Sequence, residues 1–432
     1  MKAGGKSGLL YAYYGDDFTG STDVLEALAL QGVPAVLFIG LPDELGLKRF
    51  ADCRAIGIAG ESRSRNPQWM NRNLPGIFAA MRALGAHFNH YKVCSTFDSS
   101  PRIGSIGRAM ELGIKAFGAR FVPVVVGAPR LGRAVVYGNL FASAHGVMHR
   151  IDRHPSMRHH PTTPMAEADL RLHLQRQTRM PAGLVDLSSF QTGKTEERLQ
   201  AELKSGAKAI VFDAIDDGML EETARLVYQY PAGGRVFAVG SSGLTTGLLL
   251  HWRRLQCIPE PPSLEPPPAA DRIIVLSGSC SPVTARQIRR ARQQGFAAFR
   301  LHGSQPWQAE MSRALEALSR GKSVVLYTAL GPQPPDGNGK YGQAFGAALG
   351  AGLREMLMLS GARRAVIAGG DTSTRVVKQL GLKALTFAAP LAPGGPLCRA
   401  HAPGSPLDGL EIVLKGGQVG ADDFFAQVRD GR

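Results

Sequence analysis

Two short apolar runs flank a polar turn and a helical stretch near the start of the chain, and this arrangement restricts the fold more than any other feature. Residues 9–14 (LLYAYY) read as a buried strand and residues 35–39 (AVLFI) as a second. Between them Val24, Leu25 and Leu28 fall at helical spacing, with Asp23 and Glu26 expected in the first turn, where the helix dipole favours carboxylates. Strand, helix and strand in that order make a right-handed βαβ unit of a parallel sheet. The connecting turn carries Gly15, Asp16, Asp17, Thr19, Gly20, Ser21 and Thr22 at a strand's carboxyl end, where open α/β sheets bind ligands. Starting a helix needs one capping residue, and this turn holds more carboxylates and hydroxyls than that. An aspartate here could accept a proton from a substrate hydroxyl or hold a magnesium ion.

The same alternation continues. Residues 55–59, 90–96, 121–127, 209–213 and 236–240 are apolar runs, each followed by a polar or Gly-rich turn, and a helix is expected over residues 74–84. This is the pattern of an α/β sheet covered on both faces. Residues 257–270 then change character: IPEPPSLEPPPAA is a stiff, extended linker and marks a domain boundary. Strands resume at residues 272–276, 324–328, 365–368 and 410–414. The expected architecture is two α/β domains, 1–256 and 272–432, joined by a Pro-rich linker at 257–271. Each is a mainly parallel, Rossmann-like three-layer sheet flanked by helices.

Charge narrows the ligand. Fifty Lys plus Arg against 35 Asp plus Glu give a formal charge of +15, a field that concentrates anions. The tightest basic cluster, Arg286, Arg289, Arg290 and Arg292, has the spacing of a solvated helix face, and no reader motif accompanies it. A small acidic substrate fits better than nucleic acid. No apolar stretch reaches the ~20 residues of a membrane span. Five scattered cysteines without a C-x-x-C pair point to reduced thiols, a cytoplasmic setting and no zinc site. A homo-oligomer is left open. Six of the eleven histidines lie in residues 145–173, but no carboxylate or cysteine completes a metal set there; anion binding by Arg158 with His159 or His160 is the reading.

In the second half, strands end in turns of the kind that hold phosphate on backbone N–H groups. They are Ser277-Gly278-Ser279-Cys280-Ser281, Gly369-Gly370-Asp371-Thr372 and Lys415-Gly416-Gly417. Residues 337–342 match G-x-G-x-x-G but follow a Pro-rich loop, so the dinucleotide reading lacks its strand. Residues 127–134 have P-loop spacing without its Lys and Ser/Thr.

Those turns, with Gly15-Asp16-Asp17-Phe18-Thr19-Gly20 and Asp98-Ser99-Ser100-Pro101-Arg102, stand in the order found in the four-carbon acid sugar kinases, which the whole chain resembles. The resemblance implies an N-terminal domain for a sugar acid, a C-terminal domain for ATP, and γ-phosphoryl transfer to a terminal hydroxyl of a tetronate or 3-oxo-tetronate with Mg²⁺. It implies ATP contacts at Ser277, Ser279, Gly369, Gly370, Asp371, Thr372 and Gly417. On the acid side it implies Asp16, Asp17, Thr19, Ser62, Arg63, Lys92, Asp98, Ser99 and Arg102, with Asp17 or Asp16 as base. Ser100, Ile103, Gly416, Gln418 and Val419 depart from the family's commoner residues. A branched acid such as 3-oxo-isoapionate is the competing substrate.

Overall fold

The computed structural model describes residues 8–144, 146–160, 162–231, 233–302, 307–331 and 341–432. The opening run forms strand β1 (Tyr11–Gly15), helix α1 (Phe18–Leu30) and strand β2 (Ala35–Phe38). Asp17 starts α1, its Oδ1 accepting the Gly20 N–H at 2.6 Å. The helix therefore begins earlier than the apolar spacing suggests, and Asp23 and Glu26 lie in its middle; its first turn contains no acidic residue. Gly32, at φ 76°, ends it.

Two compact units divide the chain: Met1–Asp16, Ala27–Ala35 and Phe50–Pro261 form the first, and Asp17–Glu26, Val36–Arg49 and Pro262–Arg432 the second. In the first, β3 (Ala55–Ala59), β4 (Phe88–Lys92) and β5 (Val122–Val125) are followed by three antiparallel strands, β6 (Arg133–Val136), β7 (Asn139–Ala144) and β8 (Val147–Arg150). The main sheet resumes with β9 (Ala182–Val185), β10 (Ala209–Phe212) and β11 (Val236–Gly240). Its strands are all parallel, in the order β3-β1-β4-β11-β5-β10-β9. β1, β3, β4 and β11 are buried at every residue, as expected of parallel strands covered on both faces. Helix Ile106–Phe117 lies close on this sheet because Gly113 has no side chain; a Cβ there would sit 2.1 Å from the Phe237 ring. Phe78, Phe117 and Phe237 pack at that contact. The helix expected over residues 74–84 runs from Pro67 to Ala83, capped by Asn66, and tolerates Pro75 inside it.

In the second unit the strands are β12 (Ile274–Ser277), β13 (Ala297–Arg300), β14 (Val324–Tyr327), β15 (Arg364–Ala368), β16 (Ala384–Ala392), β17 (Gly395–His401) and β18 (Glu411–Lys415). The order β13-β14-β12-β15-β18 is parallel, and β17, β16 and β2 continue it antiparallel. The β16–β17 hairpin is absent from the sequence reading, because Pro390, Pro393 and Pro396 argue against strands. Arg364, 2 % exposed, holds this unit's periphery together. It donates to Glu411 and to the carbonyls of Pro268 and Val428. The chain is thus two-domain α/β, with mainly parallel sheets flanked by helices. Cys53, Cys94, Cys257 and Cys398 are free thiols. Among the described residues no helix is long and apolar enough to cross a membrane.

Candidate active site

In the second unit β13 and β14 lie on one side of β12, and β15 and β18 on the other. The carboxyl ends of β12 and β15 are therefore a topological switch point, where such sheets bind ligands. The turns anticipated as phosphate-binding meet there. Gly278 donates its N–H to the Ala368 carbonyl, and Gly369 donates to the Lys415 carbonyl. A Cβ on Gly278 would lie 2.1 Å from Thr372 Oγ1, and one on Gly417 would lie 2.7 Å from Ser279 Oγ. Gly369 takes φ 115°, which a side chain would oppose. Ser277 and Ser279 are buried, and their hydroxyls accept the N–H groups of Ser279 and Ser281. Asp371 is exposed in the first turn of helix Gly370–Gln379. Of the residues expected for ATP, Ser279, Gly369, Thr372 and Gly417 thus converge through backbone and hydroxyl contacts. Residues 337–340 of the G-x-G-x-x-G match lie outside the described residues.

The Asp17 turn belongs to this same unit. Besides capping α1, Asp17 accepts the Thr19 hydroxyl on Oδ2 at 3.1 Å, and its own carbonyl accepts the Ser21 hydroxyl. Both side chains stand beside the Gly370 backbone: a Cβ on Gly370 would be 3.4 Å from Asp17 Oδ2 and 3.6 Å from Thr19 Oγ1. The carboxylate therefore has a structural task and an adjacent nucleotide-type turn at once.

In the first unit, turns after β1, β3 and β4 gather the remaining candidates. Asp16 is 5 % exposed; its N–H donates to the Lys92 carbonyl and its carbonyl accepts the Arg63 N–H. Ser62 bonds the Tyr91 hydroxyl at 2.8 Å, and Tyr91 stacks on Tyr14. Burial, with Asp16 and Tyr14 nearby, keeps the Tyr91 phenol protonated. Arg63 donates to Asp98 Oδ2 at 2.6 Å, while the Thr96 and Thr163 hydroxyls also donate to Asp98. Burial alone would raise the Asp98 carboxyl, but Arg63, His160 and the Thr96 hydroxyl hold it below the ordinary carboxylate range. Gly104 brings the two loops together, its N–H on the Arg65 carbonyl; a Cβ there would lie 2.5 Å from the Arg63 carbonyl. Lys92 is buried at the end of β4, between Gly15 and Gly240.

Ser99 is held from below. His173 Nε2 lies 2.9 Å from its hydroxyl, and Gln177 donates to it. Burial, followed by Arg176, pushes the His173 imidazole down to about 4, so the ring is neutral near pH 7. Arg102, Arg158 and His159 are exposed. In the histidine-rich segment it is His160 that takes part in the Asp98 cluster, bonding Thr163 at 3.1 Å. His173, Gln177 and Thr163 escaped the sequence reading because each lies more than 60 residues from its partner. Lys415, buried at the end of β18, opens one of the expected turns, but its side chain was not among the expected ATP contacts.

A family model described as a sugar-binding N-terminal domain matches residues 11–248, and one described as a nucleotide-binding C-terminal domain matches residues 274–425. A 3-oxo-isoapionate kinase of Paraburkholderia graminis is 45 % identical over 99 % of this chain and 95 % of its own length. A 3-oxo-tetronate kinase of Cupriavidus necator is 32 % identical over 95 % of this chain and 94 % of its own. Among solved structures, a Salmonella typhimurium LT2 protein superposes with a TM-score of 0.77 at 25 % identity, covering 97 % of this chain and 98 % of that one. Matches on both halves and full-length similarity to curated kinases lead to one conclusion: the chain belongs to the four-carbon acid sugar kinase family.

Proposed function

We propose that this chain is an ATP-dependent kinase that phosphorylates the terminal hydroxyl of a 3-oxo sugar acid. The observation carrying this reading is the meeting of Gly- and Ser/Thr-rich turns at the ends of β12, β15 and β18, with Asp17 and Thr19 beside Gly370. In phosphoryl transfer the protein chiefly aligns the reactants and neutralises charge. Ser277, Ser279, Gly369, Gly370, Thr372 and Gly417 hold the nucleotide; Asp17 accepts or orients the hydroxyl proton, with Asp16 as the competing base. Ser62, Arg63, Lys92, Asp98, Ser99 and Arg102 recognise the acid, residues 1–256 serving as its domain and 272–432 as that of ATP. Guanidinium groups suit a carboxylate because they bind it bidentately. Arg158 and His159, exposed on their loop, would join only with substrate present.

Mg²⁺ fits this donor set as an ion held mainly by the phosphates. No group of three or more His, Cys, Asp or Glu is gathered among the described residues, and Mg²⁺ with a nucleotide needs only one or two carboxylates. Asp17 and Asp371 are the carboxylates at the nucleotide turns. Asp17 or Asp371 would hold the ion, and it would supply positive charge that offsets the charge of the phosphates.

Both relatives named above are kinases of 3-oxo acids, and the greater identity to the 3-oxo-isoapionate enzyme favours the branched acid over the 3-oxo-tetronate. ADP release measured over 3-oxo-isoapionate, 3-oxo-tetronates, threonate and erythronate tests this. Highest kcat/KM on a 3-oxo acid is expected. Absence of ATP-dependent turnover on every acid would sink the proposal.

A further inference from the structure

Lys415 ends β18 with its side chain wholly buried; the turn it opens is expected to hold phosphate on backbone N–H groups, which leaves the ammonium itself unassigned. Its backbone carbonyl receives the Gly369 N–H, so the residue already joins two of the nucleotide turns. Its ammonium lies 3.2 Å from Thr284 Oγ1 in the first turn of helix Pro282–Gln293, and 5.9 Å from the Phe424 ring centre. The Thr284 hydroxyl in turn donates to the Gly417 carbonyl at 2.9 Å, which joins the third turn. An ammonium has three donors, and among the described residues Thr284 is the one hydrogen-bond partner recorded for this one. Neither Thr284 nor Phe424 carries charge. On the adjoining elements Arg286 and Asp422 pair with each other in solvent, Asp371 is exposed, and Asp423 precedes helix Phe424–Asp430. A buried cation without a counter-charge is unfavourable. The missing partner should be an anion, and the turns around it are built for phosphate.

Resting on the kinase reading, we infer that Lys415 is the cation that receives the charge of the nucleotide's phosphates, with Thr284 orienting it beneath the Gly417 turn. Burial pushes its ammonium down to about 7, and among the described residues no neighbouring charge contributes. Phosphates arriving above it favour the charged form, so nucleotide binding takes up a proton above neutral pH. Adenosine, lacking phosphate, takes up none.

The test is calorimetric titration of the full chain with ADP and with adenosine at pH 8, in two buffers of different ionisation enthalpy. Wild type should take up a fraction of a proton with ADP, and Lys415→Met should lose that uptake. ADP affinity should fall roughly ten- to hundredfold in the variant, the usual weight of a charge-assisted hydrogen bond, with adenosine affinity held. Unchanged ADP affinity, or proton uptake equal to wild type, overturns the assignment. Should Lys415→Met fail to fold, wild type decides: ADP affinity must decline from pH 7 to pH 9 while adenosine affinity stays level, and a flat ADP profile overturns it. Thr284→Val should weaken ADP less and keep the proton uptake. If wild type binds adenosine but not ADP, the phosphate cation is refuted; if it binds neither, the kinase reading fails with it.

Discussion

Asp17 caps α1, and in the proposed reaction it is also the base; one substitution can separate the two. Asn is as good an N-cap as Asp, so Asp17→Asn should keep the bond from Gly20 and leave the melting temperature close to wild type. Losing the negative charge should lower kcat by about 10²–10⁴, the range for a positioned acid–base group. Asp17→Ala should lose a further ~1 kcal/mol of stability with the cap. Near-normal turnover by Asp17→Asn would transfer the role to Asp16. Glu26 poses the opposite problem. Burial lifts its carboxyl to about 8, partly offset by the Gly394 N–H donated at 2.8 Å. The folded state then binds more protons than the unfolded state between the ordinary carboxylate range and pH 8, so this residue's contribution to stability falls as pH rises through that window. Melting curves from pH 5 to pH 8 should show a smaller decline for Glu26→Gln than for wild type; parallel declines would remove Glu26 as the cause.

At the scale of elements, the site depends on how closely three turns approach. Gly417 sits where a side chain would meet Ser279 Oγ at 2.7 Å and Ser281 Cβ at 2.9 Å. Gly417→Val should raise the KM for ATP roughly tenfold or more, about 1.4 kcal/mol, with the KM for the acid held. An equal rise in both constants would instead indicate general damage to the fold. The N-terminal half uses the same device, since Gly104 lets the Asp98 loop rest on the Arg63 carbonyl. In both places the absent Cβ sets the spacing of adjoining loops.

For the whole molecule, the question is what its excess of basic residues attracts. A ligand that binds only the folded state stabilises it by mass action, about 2.7 kcal/mol at 100 times Kd. ATP with Mg²⁺ should therefore raise the melting temperature, and duplex DNA at physiological salt should not. A shift with DNA and none with ATP would favour a nucleic-acid partner. Arg286, Arg289, Arg290 and Arg292 are exposed along helix Pro282–Gln293, as their spacing suggested.

By itself the sequence determined the α/β class and the alternation of strands and turns, because strand burial and turn composition are local properties. It misplaced Asp23 and Glu26 because a single cap at Asp17 moved the helix start, and it began the helix Pro67–Ala83 at residue 74. The β16–β17 hairpin was hidden by its prolines. Only the tertiary structure decided that Asp17 stands beside Gly370, that Thr284 ties Lys415 to Gly417, and that His173 and Gln177 hold Ser99. The reason is physical: strand order and close packing bring these groups together across gaps of 70 to more than 300 residues, and no local periodicity encodes such a pairing.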